Sequence, residues 1–135
     1  MKRIILGAKY TVVEPLGLLH LSSIAEQEGW DSKIALFKDK DFESFEQLRE
    51  DYKPDIIGFS LGTGHHLPVF DYLDKVKRKN KDILTILGGP HATFFPNECS
   101  KHADYTVISE GFNSFRKILR GESPSGIIHL SKQEP

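Results

Sequence analysis

One cysteine, Cys99, stands in the whole chain. That excludes an internal disulfide, a cysteine-based zinc site and an iron–sulfur cluster held within the chain. Charge of one sign is not in excess either. Eighteen Lys+Arg oppose 19 Asp+Glu for a net charge of -1, which gives no basic field to neutralise phosphates, so nucleic acid is not expected as a partner. Long apolar runs are missing, and none approaches the ~20 residues of a membrane-spanning helix. The opening Met1-Lys2-Arg3-Ile4-Ile5-Leu6-Gly7 turns polar too soon for a secretory signal, so the chain is expected to be cytoplasmic, with no membrane partner. Nothing matches G-x-x-x-x-G-K-S/T, which excludes a Walker-type phosphate loop. Internal repeats and low-complexity segments are absent too.

What remains is a chain of 135 residues, 39% hydrophobic and 27% charged. That suits one domain rather than two, and about two-thirds of the unfolded surface can be buried at this size. Short apolar or β-branched runs bounded by turn residues predict five strands, at Lys2 to Gly7, Ser32 to Phe37, Asp55 to Phe59, Asp82 to Leu87 and Asp104 to Ile108. Helical spacing separates them: Leu18, Leu21 and Ala25 before Gly29; Phe42, Phe45 and Leu48; Val69, Leu73 and Val76; Phe112, Phe115 and Leu119 before Gly121. Pro15 and Pro68 suit helix starts, and a short helix is expected around Pro96 to Ser100. Strict β-α alternation implies parallel strands and right-handed crossovers, hence an α/β fold: a doubly wound, flavodoxin-like sheet of five parallel strands in three layers. The expected domain is 1–121. Residues 122–135, with Gly, Ser, Pro and charge around one apolar patch from Gly126 to Leu130, read as a tail that begins a linker.

Ligands of open α/β sheets sit outside the carboxyl ends of the strands. The loops expected there are Ala8 to Pro15, Ser60 to His66, Gly88 to Thr93 and Ser109 to Gly111. Glycine lets a backbone approach a ligand with no Cβ in the way, so three glycine-bearing loops on one edge suggest a large flat or threaded ligand; the competing reading is that Gly and Ser simply make tight turns. Gly62-Thr63-Gly64-His65-His66-Leu67 misses the last glycine of G-x-G-x-x-G and follows the wrong strand. Gly58-Phe59-Ser60-Leu61-Gly62 matches G-x-S-x-G, with Asp104 and His129 following in hydrolase order, which makes a Ser60 serine hydrolase the rival. Against it, a nucleophile elbow needs its helix right after the serine, whereas Gly62, Thr63, Gly64 and two histidines intervene before Pro68. His65, His66, His91 and Glu110 do not have the spacing of a recognised ligand set, so no metal site is expected.

Four segments together resemble the cobalamin-binding domain of cobalamin-dependent radical SAM enzymes, methyltransferase type. They are Pro15-Leu16-Gly17-Leu18-Leu19-His20-Leu21, Lys53 to Ser60, Leu87-Gly88-Gly89-Pro90-His91-Ala92-Thr93 and Ser109-Glu110-Gly111. The resemblance covers most of the chain. It implies a Rossmann-like domain that holds cobalamin with the corrin across the strand ends and the dimethylbenzimidazole tail inserted into the fold. The implied cofactor contacts are Tyr10, Thr11, Val12, Val13 and Glu14; Ser60, Leu61, Gly62, Thr63, Gly64 and His65; Gly88, Gly89, Pro90 and His91; and Ser109, Glu110 and Gly111. In that picture Ser60 hydrogen-bonds the tail and Gly88-Gly89 leave it room.

One departure is informative. Methyltransferase-type corrinoid domains carry D-x-H-x-x-G in the first loop, and aligning its glycine with Gly17 puts Val12 at the Asp position and Glu14 at the His position. Neither can supply the lower imidazole. The resemblance therefore implies cobalamin held base-off with no histidine beneath cobalt, an arrangement that favours the low-valent methyl carrier. Tyr10, Val12 and Val13 would lie below the ring, and His65 near its edge or upper face. The family's catalytic domain needs C-x-x-x-C-x-x-C, which one cysteine cannot supply. Catalysis is thus not expected of this chain alone; the parent enzyme would add a radical SAM domain, in cis or trans, with a 4Fe–4S cluster and S-adenosylmethionine. A third possibility is a cofactor-free flavodoxin-like module; a receiver would need an aspartate where Ser60 stands.

Overall fold

Isoleucine-rich runs bounded by charged residues form the strands of one sheet in the computed structural model, which describes residues 2–10, 16–38, 42–62, 64–108, 112–122 and 127–129. In chain order the elements are β1 (Arg3–Lys9), α1 (Leu16–Gln27), β2 (Asp31–Phe37), α2 (Glu43–Tyr52), β3 (Ile56–Ser60), α3 (His66–Lys79), β4 (Leu84–Gly88), α4 (Pro90–Phe94), α5 (Pro96–Cys99), β5 (Tyr105–Val107), α6 (Phe112–Leu119) and β6 (Ile127–His129). Strand order is β2-β1-β3-β4-β5-β6. The first five strands are parallel, in the flavodoxin-like order expected from the alternation. Leu6 lies opposite Ile34 and Gly58, and Ser60 opposite Ala8 and Gly88. Successive residues Ile4, Ile5 and Leu6 point to opposite faces yet are all buried, because helices cover both sides of the sheet.

Two features differ from the sequence reading. The segment after β4, expected as a loop through Thr93, turns into helix α4 at once, with Pro90 in its first turn and the Thr93 hydroxyl donating to the Gly89 carbonyl at 3.1 Å. Five residues are too few for a helical period to show in sequence. Beyond Gly121, Ile127–His129 add a sixth, antiparallel strand beside β5, with Ile128 opposite Thr106. The apolar patch expected in the tail is therefore the part that joins the sheet.

The two cores are unlike. Between the sheet and α2 to α5, aromatic rings fill the space: Phe45 stacks on Phe59 with centroids 4.9 Å apart, and Phe42 on Tyr72 at 4.9 Å. A Cβ at Gly7 would lie 2.6 Å from Phe59 and 2.7 Å from Phe45, so the rings around Gly7 leave no room for a side chain. Between the sheet and α1 with α6 the core is mainly aliphatic, built from Ile4, Leu6, Leu18, Ile24, Ile56, Ile86, Val107, Ile118 and Leu119 with Trp30 and Phe115. Glu28 at the end of α1 accepts from Arg116 at 2.6 Å and Arg120 at 2.6 Å, and the Trp30 indole donates to the Leu119 carbonyl at 3.2 Å. These contacts tie the carboxyl ends of α1 and α6. At their amino ends, the His20 and Phe112 rings meet at 4.3 Å.

Candidate functional site

Side chains on the α1–α6 face shrink toward the carboxyl ends of the central strands. Alternation puts Ile56, Gly58 and Ser60 on this face of β3, Leu84, Ile86 and Gly88 on β4, and Ile4, Leu6 and Ala8 on β1. Each strand thus begins with a large aliphatic residue and ends with a small one. The step-down opens a cavity of about 70 Å³ lined by Leu6, Leu18, Leu21, Gly58, Phe59, Ser60, Ile86, Gly88, Gly89, Val107 and Phe115. The side chains of its walls are apolar apart from that of Ser60. A Cβ at Gly88 would meet nothing nearer than the Val107 carbonyl at 3.8 Å.

Gly89 plays a different part from Gly88. Its φ is +93°, and a Cβ there would stand 2.8 Å from both the Leu61 nitrogen and Ser60 Oγ. Here the β3 and β4 connections are laced together, Leu61 N–H donating to the Gly88 carbonyl at 2.8 Å and His91 N–H to the Leu61 carbonyl at 3.0 Å. Both glycines line the cavity, and a Cβ at Gly88 would meet only ordinary contacts whereas the absence of one at Gly89 lets the two connections touch. His65 folds back on its own turn, its N–H donating to the Gly62 carbonyl at 3.2 Å. Burial first, and then the neighbouring Lys9 and His66, hold its imidazole below the usual histidine range. Tyr10 leaves β1 with its N–H donating to the Phe37 carbonyl at 2.7 Å and its ring 5.3 Å from Lys38 Nζ.

Tyr10, Ser60, Leu61, Gly62, Gly64, His65, Gly88, Gly89, Pro90 and His91 all lie at or just beyond the strand carboxyl ends. Thr11, Val12, Val13, Glu14, Thr63, Ser109, Glu110 and Gly111 fall outside the described residues. Leu61 is buried in the aromatic core. His91 is 3% exposed, and its Nε2 lies 2.8 Å from Glu98 on α5, so its ring is committed away from the cavity. The cavity walls Leu6, Gly58, Ile86, Val107 and Phe115 lie within strands and a helix rather than in the strand-end loops, so a reading of the loops does not reach them. Their signal was present in the period-two series Ile56-Gly58-Ser60 and Leu84-Ile86-Gly88.

The hydrolase arrangement does not assemble. Asp104 precedes β5, at the edge opposite Ser60; its carboxylate accepts from Thr85 N–H at 2.9 Å and pairs with Lys77 Nζ. Thr85 lies three residues before Gly88, the partner of Ser60, or roughly 10 Å along the strand. His129 pairs with Tyr105 at that same far edge. Among the described residues, no helix is long and apolar enough to cross a membrane.

Comparison with known proteins gives a consistent picture. The family model for the B12 binding domain matches residues 2–119. The chain is 29% identical over 133 residues to an uncharacterized methyltransferase of Pyrococcus horikoshii, covering 92% of this chain and 29% of that protein. It is 24% identical over 119 residues to the hopanoid C-3 methylase of Methylococcus capsulatus, covering 87% of this chain and 22% of that protein. The chain thus spans less than a third of the length of these curated relatives. Among solved structures, a cobalamin-binding protein from Desulfitobacterium hafniense superposes with a TM-score of 0.71 at 19% identity, over 88% of this chain and 58% of that one. At that identity the likeness shows the fold.

Proposed function

The chain belongs to the B12-binding domain family, and from that premise we propose that it holds cobalamin base-off, with the nucleotide tail in the cavity beside Gly88 and no histidine beneath cobalt, as methyl carrier for a radical SAM methyltransferase. The observation that carries this reading is the step-down of side chains to Gly58, Ser60 and Gly88. It leaves an apolar slot with one hydroxyl at the edge where ligands of this sheet class bind. Apolar walls suit a planar aromatic base, and Ser60 offers it a hydrogen bond. At about 70 Å³ the slot has room for only a few waters, so the base enters as α1 and α6 part. Their ion pairs lie at the far ends, and the strand-end side is closed by the His20 and Phe112 ring contact.

When bound, cobalamin supplies a cobalt able to carry a methyl group between a donor and a substrate. This chain's own part is to bind and orient. His65 is suited to hydrogen-bond the corrin amides, and Tyr10 and the sequence at Val12 and Glu14 bring no imidazole below the ring. The relatives named as methyltransferases, over three times longer than the matched segment, support a catalytic partner domain. In our reading that domain is of the radical SAM type and brings the 4Fe–4S cluster and S-adenosylmethionine. The assembly is placed in the cytoplasm.

The test is reconstitution with hydroxocobalamin followed by desalting. The protein should emerge pink to red with one corrinoid per chain; a colourless protein would favour a cofactor-free module. Electron paramagnetic resonance of the cob(II)alamin form then reads the lower position. No nitrogen splitting is expected, and splitting that disappears in a His65→Ala variant would overturn the unligated arrangement.

A further inference from the structure

Across the sheet from the slot, α3, α4 and α5 bring together three side chains that the cobalamin reading does not use for ligation. His66 opens α3, His91 lies in α4 and Glu98 in α5, and one potential ligand atom from each lies within 4.8 Å of the others. The buried His91 is fixed: its Nε2 lies 2.8 Å from Glu98 Oε1 and its ring packs against Phe95 at 4.9 Å. His66 is half-buried, and its Nδ1 accepts a long 3.4 Å contact from Gly64 N–H, which leaves Nε2 as its donor to an ion. Glu98 is exposed and ionised. The hydrogen bond from His91 holds its carboxyl below the usual range.

We propose that His66, His91 and Glu98 form a binding site for a divalent transition metal of the zinc class. Two imidazoles and one carboxylate are a donor set that zinc takes readily, with a fourth position left for water; nitrogen donors disfavour magnesium and calcium. The exposed sides of His66 and Glu98 leave that fourth position open to solvent. In the metal-free arrangement the two imidazoles stack, centroids 4.0 Å apart and planes 13° from parallel, so their lone pairs do not converge. Closing the site needs His66, which is half-buried at the first position of α3, to turn about its Cβ–Cγ bond. The ring proton of His91 then resides on Nδ1, and Nε2 exchanges its contact with Glu98 for the ion that both share. This site stands apart from the cobalamin slot and does not depend on it.

The experiment is a zinc titration of chelator-treated protein, without cobalamin, against a chromophoric competitor, with thermal unfolding followed in parallel. The wild type should take up one zinc and unfold at a higher temperature with it. His66→Ala and Glu98→Gln, both at solvent-facing positions, should each weaken binding by about tenfold or more and lose the thermal shift. His102→Ala, in the neighbouring pair with Asp74, should bind as the wild type does. Zinc bound equally by wild type, His66→Ala and Glu98→Gln, or no stoichiometric zinc in the wild type, would overturn the proposal.

Discussion

The two faces of the sheet divide the work between them. On the α2 to α5 face, Phe37, Phe42, Phe45, Phe59 and Tyr72 interlock so closely that even Gly7 has no room for a methyl group. On the α1–α6 face, the same strands end in Gly58, Ser60, Gly88 and Ala8, and a cavity remains. Both faces are apolar and both are covered by helices, one packed mainly with aromatic and the other mainly with aliphatic side chains. What separates them is whether the residues at the strand carboxyl ends are large or small. A filled face holds the fold together, and the face with a gap is where a ligand can enter without disrupting the aromatic core.

The largest effect should come from emptying the filled face. Phe45→Ala removes a ring packed against Phe42, Phe59 and Tyr72, at a cost of about 3–5 kcal/mol. Urea unfolding should show that loss, while the fraction that remains folded still takes up one corrinoid. A loss of uptake in the folded fraction would break the division between the faces.

A smaller effect is expected at the joint between the two connections. Gly89→Ala forces a side chain to φ +93° and against the Leu61 backbone at 2.8 Å, which should destabilise by roughly 2–4 kcal/mol. One position earlier, Gly88→Ala meets only ordinary contacts and should be nearly neutral in the same urea measurement. Equal losses for the two would mean that the neighbouring glycines are not distinguished as described.

The smallest effect concerns the far ends of α1 and α6. Hydrogen bonds from Arg120 first, and then Arg116, pull the Glu28 carboxyl down from its ordinary 4.5 to about 2. A depressed carboxyl contributes stability that is present above the unfolded value and is lost as pH falls through the folded one. Wild-type stability should therefore decline between pH 4.5 and about 2. Glu28→Gln should flatten part of that decline when urea midpoints are compared across the acid range. Because its arginines are partly open to solvent, the cluster should matter less in high salt.

How much was legible in the sequence follows the same division. The parallel strands, their order and the helix between Pro68 and Lys79 could be read because apolar runs and helical spacing are properties of single segments. The cavity could not be read from segments, since it exists only where β1, β3 and β4 place their small residues side by side. Two adjacent glycines look alike in a sequence; only the register that sets Ser60 beside Gly88 shows that Gly88 has room for a Cβ and Gly89 meets a backbone. The serine of Gly58-Phe59-Ser60-Leu61-Gly62 misleads for the same reason. Chain order says nothing about which edge a residue occupies, and Asp104 sits at the start of its strand. His91 was grouped with a strand-end loop, whereas the one-turn helix α4 carries its ring toward Glu98.

The most direct test of the account compares hydroxocobalamin with cobinamide, a corrinoid that lacks the nucleotide tail, in wild type and in Gly88→Leu, whose side chain would occupy the cavity. Equilibrium binding should show the wild type preferring cobalamin by about tenfold or more, and Gly88→Leu should lose that preference while still unfolding cooperatively. Equal affinity of the wild type for both corrinoids, or an unchanged preference in Gly88→Leu, would contradict the claim that the tail is held between the sheet and α1 with α6.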